Sequence, residues 1–167
     1  MVKLILFMYE SWAQLDLAVD GLTPSEANAR HEGASRIAWT LGHVTNMVDS
    51  WVNMRFQGLP PHPLIGHARF RAGASGEAPD WQRVLEGVAE VRQAARRLLD
   101  AEPPPDLERR ISYEGSIPAL RSSGLTLRYA LMRISAHHFM HAGEIATIRA
   151  RLGHKMHESP DWGQSLI

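Results

Sequence analysis

The chain has 167 residues, of which 44% are hydrophobic and 22% are charged, a length and composition typical of one compact domain spanning residues 1–167. Its 18 basic residues balance 18 acidic ones, so it lacks the broad positive field that nucleic-acid binding usually requires. The absence of cysteine excludes disulfide scaffolds, thiolate metal sites and cysteine nucleophiles, which leaves histidine, carboxylate and water as metal ligands.

Four segments have the apolar spacing of amphipathic helices. The third begins at Asp80, a good N-cap, and ends before three consecutive prolines. The fourth is capped by Ser123 or Thr126 and ends before Gly153. Together they predict an all-α fold, a four-helix bundle with long inter-helix connections. The predicted helices cover approximately residues 2–20, 35–56, 80–101 and 126–152.

Two shorter features and the chain ends complete the order of elements. Residues 25–28 are expected to add a brief helical turn, and residues 110–113 to form either a short strand or an extended loop. The apolar run at the N-terminus is too short to span a membrane and lacks a small-residue cleavage site, so a cytoplasmic protein without a membrane partner is expected. In the polar tail, His154 and His157 are expected to be exposed.

His137 and His141 are the most informative pair in the chain. A helix turns about 100° per residue, so positions four apart lie on one face, where two imidazoles can bind one metal ion. His138 leaves an alternative open, because it lies three residues before His141, which is also same-face spacing. Periodicity alone does not choose between His137 and His138. The chain has nine histidines, so such a pair can also arise by chance between residues that only pack.

His43, in the second predicted helix and one turn after Trp39, is the candidate third ligand. Three neutral imidazoles would leave a coordination position for water or a thiolate, which would then be the reactive group. Glu144 lies three residues past His141, where it could orient a ligand imidazole or accept a proton. An ion pair with Arg151 or with a neighbouring helix is the more common use of such a glutamate.

Two short motifs carry a resemblance to a known family: Leu41-Gly42-His43, and HHFMHAGEI over residues 137–145. The chain resembles the DinB/YfiT-like superfamily of metal-binding four-helix bundles, in which a histidine of the second helix is followed by HxxxHxGxI in the fourth. His141 and the next four residues fit the second half of that pattern, and this register selects His137 over His138. The resemblance extends over essentially the whole chain.

The resemblance implies a site in which His43, His137 and His141 bind nickel, zinc or iron, and it implies a homodimer. Relatives include S-transferases that use low-molecular-weight thiols such as mycothiol or bacillithiol, and a maleylpyruvate isomerase. The leading hypothesis is therefore a metal-dependent enzyme acting on a small-molecule substrate, with a low-molecular-weight thiol as partner. The alternatives are a metal-dependent hydrolase and a non-catalytic metal- or ligand-binding stress-response protein.

Overall fold

Four long helices frame the molecule in the computed structural model, which describes residues 2–31, 33–78, 80–155 and 163. The all-α fold class and the four-helix bundle are confirmed. Each long helix begins and ends within two residues of its predicted bounds, if the π-helix that continues the second one is counted with it. In chain order the α-helices of the described residues are α1 (Lys3–Val19), α2 (Pro24–Asn28), α3 (Ile37–Val48), α4 (Trp81–Leu99), α5 (Pro118–Ser123) and α6 (Leu127–Arg151), and Ala68–Phe70 forms a short 3-10 helix.

Side-chain caps set the starts of the long helices α4 and α6. The Asp80 carboxylate accepts a hydrogen bond from the backbone N–H of Arg83 at 3.3 Å, as its position before α4 predicts. The Thr126 hydroxyl accepts from the N–H of Tyr129 at 3.2 Å, so Thr126 rather than Ser123 caps α6. Ser123 instead closes the short helix α5, which the sequence did not predict.

The second predicted helix has two parts, because α3 continues directly as a π-helix over Asp49–Phe56. Buried amide side chains of this π segment cross to backbone carbonyls of α4. Asn53 donates to the carbonyl of Val91 at 3.1 Å, and Gln57, just after the segment, donates to that of Ala94 at 3.0 Å. Apolar periodicity does not distinguish a π-helix from an α-helix at this length, so the sequence did not predict this change.

Short elements join the bundle helices. At α2 the hydroxyl of Thr23 accepts from the N–H of Glu26, whose carboxylate accepts from the N–H of Thr23, a reciprocal cap. The imidazole of His154 lies 2.7 Å from the other oxygen of Glu26, so His154 is half-buried and not exposed as expected. His157 lies outside the described residues. Strand β1 (Arg110–Ile111) pairs antiparallel with β2 (Leu125–Thr126), which resolves the choice between strand and loop in favour of a strand.

The apolar stripes of the long helices meet in one buried cluster, within which α1 packs along α6 and α3 contacts both α4 and α6. The stripe of α1 runs through Ile5 and not through Leu4, which is only partly buried. No helix in the described part of the chain is long and apolar enough to cross a membrane. The single domain expected over residues 1–167 stays a prediction. Fully buried members of the cluster include Met8, Leu15, Val44, Val48, Val84, Val91, Leu131, Ile134 and Ile145.

Candidate metal centre

Three histidines from two helices meet where α3 contacts α6. The candidate ligand nitrogens of His43, His137 and His141 all lie within 4.8 Å of one another. Within α6, the Nε2 atoms of His137 and His141 are 3.1 Å apart. The fold therefore brings together the three histidines that the sequence singled out, each of them partly buried.

Hydrogen bonds on the far side of two of these rings assign their tautomers. His43 Nδ1 lies 2.6 Å from the carbonyl oxygen of Phe70, and a carbonyl only accepts, so Nδ1 carries the proton and donates. His141 Nδ1 lies 2.6 Å from the Glu144 carboxylate and donates to it in the same way. In the neutral form of either ring, Nε2 is then unprotonated and free to bind a metal. Glu144 pairs with His141 and not with Arg151 among the described residues.

The spacing of the two α6 nitrogens fits a bound divalent ion. Two ligands at the usual 2.0–2.1 Å from one ion lie about 3.3 Å apart at a tetrahedral angle and about 2.9 Å apart at a right angle. The 3.1 Å between His137 and His141 falls between these values. A single N–H···N hydrogen bond would give a similar distance, but it would not account for the third nitrogen of His43 beside them. A neutral all-imidazole donor set suits zinc, nickel or iron.

Burial favours the neutral form of two of the three histidines. It lowers the pKa of His137 to about 4, and the positive potential of His141, His43 and Arg133 lowers it further. Burial also lowers the pKa of His43, an effect that the hydrogen bond to Phe70 opposes in part. A histidine must be deprotonated to bind a metal, so these shifts favour binding at neutral pH. His137 Nδ1 is buried and has no hydrogen-bond partner among the described residues.

His138, the alternative partner of His141, lies in the bundle interior. It is fully buried, and its Nδ1 lies 2.7 Å from the carbonyl of Ile134, to which it donates. Burial lowers its pKa to about 3, and its Nε2 has no hydrogen-bond partner among the described residues. The histidines that cluster with His43 are therefore His137 and His141, while His138 serves as a neutral packing residue.

The first long connection, residues 57–80, fixes the orientation of His43. The Trp39 ring stacks on the His43 ring at 4.7 Å with an interplanar angle of 7°, and Trp39 Nε1 donates to the carbonyl of Arg69 at 2.6 Å. The next carbonyl, that of Phe70, accepts from His43. Gly42 admits the buried Phe70 ring, because a Cβ at this position would lie 2.3 Å from it. The sequence did not identify Phe70, although a glycine on the buried face of α3 was a signal of close approach.

A cleft of about 820 Å³ adjoins the cluster, with His43 and His137 in its wall. The second long connection, residues 100–126, supplies part of the opposite wall through Tyr113 and Ser116. Sequence reasoning missed these residues, because nothing local places an irregular segment against a distant helix. Other lining side chains include Asn46, Met47, Ser50, Trp51, Arg55, Arg71, Ile117, Arg133 and Met140.

The fold and the site define a helical-bundle protein whose three-histidine cluster could hold a metal ion. The sequence profile of the DinB superfamily matches residues 8–145, which include all three histidines. The chain belongs to the DinB superfamily. Searches of curated proteins and of solved structures returned no match.

Proposed function

We propose that the chain is a metal-dependent enzyme in which His43, His137 and His141 bind one divalent ion, either nickel, zinc or iron. The observation that supports this most directly is the convergence of candidate ligand nitrogens from two helices within 4.8 Å. Three protein ligands leave at least one coordination position for a small molecule. The motif that carries these histidines lies inside the region matched by the DinB superfamily profile.

A bound divalent ion would supply Lewis acidity, which lowers the pKa of a coordinated water or thiol. The chain's own residues orient the ligands. The Phe70 carbonyl accepts the N–H of His43, and the Glu144 carboxylate accepts that of His141, so both rings present Nε2 to the site. Trp39 covers one face of the His43 ring and restricts its rotation.

The proposed reaction is transfer of a low-molecular-weight thiol to an electrophile, or a related thiol-dependent isomerisation. In the transfer the thiol loses its proton to solvent water, its sulfur bonds to an electrophilic carbon, and the leaving group departs with the electrons of the broken bond. The described lining of the cleft contains no carboxylate that could act as a general base. A thiol, with a pKa of about 8.5, needs a weaker base than water does. This difference favours thiol transfer over hydrolysis.

The cleft also supports the proposal through its size and position. At about 820 Å³ it can enclose a small-molecule substrate, and His43 and His137 are directly accessible from it. The homodimer and the cytoplasmic location expected from the sequence belong to the same proposal. A non-catalytic metal- or ligand-binding protein of the stress response is the alternative, and it predicts metal binding without turnover.

Metal analysis of untagged, purified protein tests the proposal. We expect about one divalent ion per chain in the wild type by inductively coupled plasma mass spectrometry. The variants His43→Ala, His137→Ala and His141→Ala should each lose most of it. Turnover is then measured by the consumption of mycothiol or bacillithiol with an electrophilic aryl halide, in metal-loaded and metal-stripped protein.

His138→Met is the matched control, because it removes an imidazole from the same helix without touching the cluster. This variant should bind as much metal as the wild type. Alanine variants of the three cluster histidines that also bind wild-type amounts of metal would overturn the proposed site. Full occupancy with no thiol consumption would select the non-catalytic alternative.

A further inference from the structure

The cleft beside the histidine cluster has an unbalanced positive charge. Arg55 from the π segment, Arg71 from the first connection and Arg133 from α6 all line it. No aspartate or glutamate is among the described residues of its lining, although basic and acidic residues are equal in number over the whole chain. A cleft lined by one sign of charge concentrates ligands of the opposite sign.

These three arginines have no anionic partner within the described chain. The guanidinium groups of Arg71 and Arg133 form no hydrogen bond or ion pair with any described residue. Arg55 contacts an aromatic face instead of a carboxylate, with its Cζ 5.0 Å from the centroid of the Tyr113 ring. Several arginines elsewhere are paired, namely Arg30 and Arg36 with Glu77, Arg92 with Asp16, and Arg128 with Glu108.

Arg55 is the best placed of the three to bind an anion. The Tyr113 ring holds its guanidinium by a cation–π contact, and Tyr113 in turn packs edge-on against Trp51 at 6.1 Å. The Nε of Arg55 is buried without a hydrogen-bond partner among the described residues. Because Nε is closed to solvent, an oxyanion in the cleft would accept from the terminal Nη atoms of this guanidinium.

A second cavity contains arginines whose guanidinium groups already have hydrogen-bond partners within the chain. It measures about 780 Å³ and lies beside β1 and α5, where Arg110 and Arg121 line it together with Glu114. Arg110 donates to the carbonyl of Ser123, and Arg121 donates to that of Gly115 at 2.8 Å. Those guanidinium groups stabilise backbone, whereas the arginines of the cleft beside the histidines remain available to a ligand.

We infer that the cleft binds a small organic acid, whose anionic group is held by Arg55, Arg71 and Arg133 and whose apolar body lies against Trp51 and Ile117. A molecule anchored this way reaches the wall formed by His43 and His137. Calling this acid the substrate rests on the proposed function, whereas the anion site itself needs no metal. Carboxylates and phosphate esters share the oxyanion chemistry that arginine recognises.

Three matched probes test this inference on the full chain, both metal-stripped and metal-loaded. They are benzoate, phenylphosphonate and neutral benzamide, which carry the same ring and differ in the charged group. In metal-stripped protein, titration followed by NMR should show benzoate or phenylphosphonate binding about tenfold tighter than benzamide. Arg55→Gln, Arg71→Gln and Arg133→Gln should each weaken binding of the anion about three- to tenfold.

Arg97→Gln is the control, because Arg97 is an exposed arginine of α4 that does not line the cleft. It should leave the anion affinity unchanged, and thermal melts of all variants check that they fold. Tighter binding of phenylphosphonate than of benzoate assigns a phosphate-type ligand and still supports the site. Equal affinity for benzamide and both anions, or equal weakening by Arg97→Gln, overturns it. Metal content is measured separately, so loss of the metal site and loss of the anion site are distinguishable.

Discussion

The bundle interior and the cleft between α3 and α6 both contain histidines of α6, and they use them differently. In the interior His138 is fully buried, and its Nδ1 donates to a carbonyl one turn earlier. Beside the cleft His137 and His141 lie with His43, and Glu144 and the Phe70 carbonyl orient two of the three rings. Adjacent residues on one helix therefore have different roles because a helix turns about 100° per residue. The environment that each side faces decides whether an imidazole packs or is presented to a ligand.

Gly42→Ala should have the largest effect and should show how the cleft depends on close packing of the first connection. The new Cβ would lie 2.3 Å from the fully buried Phe70 ring. Overpacking of this kind costs about 1–3 kcal/mol, more than the roughly 0.5–1 kcal/mol that alanine gains over glycine in a helix. Displacement of Phe70 should also weaken metal binding through His43. Urea unfolding and metal titration measure the two effects.

Gly143→Ala is the matched substitution on the solvent side of α6. A Cβ there meets nothing within 4 Å among the described residues, and the backbone needs no positive φ. Stability should therefore rise by about 0.5–1 kcal/mol with metal binding unchanged. A destabilised Gly143→Ala with an unaffected Gly42→Ala would contradict the packing of Phe70 against α3.

Glu144→Ala should weaken metal binding beside the cleft without changing the packing of the bundle interior. Glu144 accepts the Nδ1–H of His141 at 2.6 Å, which orients this ring and increases the basicity of its Nε2. Loss of such a partner typically lowers metal affinity about 10- to 100-fold. Isothermal titration with zinc measures the change, and Glu144→Gln should recover part of it because the amide oxygen still accepts. Wild-type zinc affinity in Glu144→Ala would show that His141 does not bind the ion through Nε2.

His138→Met should leave both the fold and the metal site intact. The substitution removes a buried Nε2 that has no partner among the described residues, while the fully buried position still holds a large side chain. We expect the free energy of unfolding to change by less than about 1 kcal/mol, in either direction. Chemical denaturation measures it. A strong loss of metal in this variant, with none in His137→Ala, would show that His138 and not His137 binds the ion.

The smallest effect should come from Glu26→Gln, which removes a contact with His154 outside both the bundle interior and the cleft. Hydrogen bonds from His154 and then from Thr23 lower the pKa of Glu26 from 4.5 to about 2. The folded-state pKa lies below the unfolded one, so this stabilisation is complete above about pH 4.5 and is lost as pH falls toward 2. Glu26→Gln should flatten the acid side of the stability profile, measured by thermal melts from pH 5 to pH 2.5. Metal content at neutral pH should not change. The acid stability of the bundle and metal binding at the histidines can therefore be measured separately.

Local patterns predicted some parts of the molecule well and others poorly. Asp80 was recognisable as a cap, and Thr126 as one of two candidates, because capping depends on a residue and its next few neighbours. The i, i+4 spacing predicted that His137 and His141 share a face, and the place of His43 in the second predicted helix made it the candidate third ligand. The π segment was not predictable from local patterns. A buried amide within it bonds to a backbone carbonyl of α4, which lies far away in the chain. The choice of His137 over His138 needed either the family register or the fold.

The amino-acid sequence by itself determined the number and approximate ends of the long helices, the face shared by two histidines, and the restriction of metal ligands to nitrogen and oxygen. The helix ends and the shared face depend on neighbours a few residues apart, where backbone geometry is regular. The restriction of metal ligands follows from the absence of cysteine. Only the tertiary structure brought the Phe70 carbonyl to His43, stacked Trp39 on its ring, and gathered Arg55, Arg71 and Arg133 around one cleft. Such contacts join segments far apart in the chain, and they exist only once the four apolar stripes have packed together.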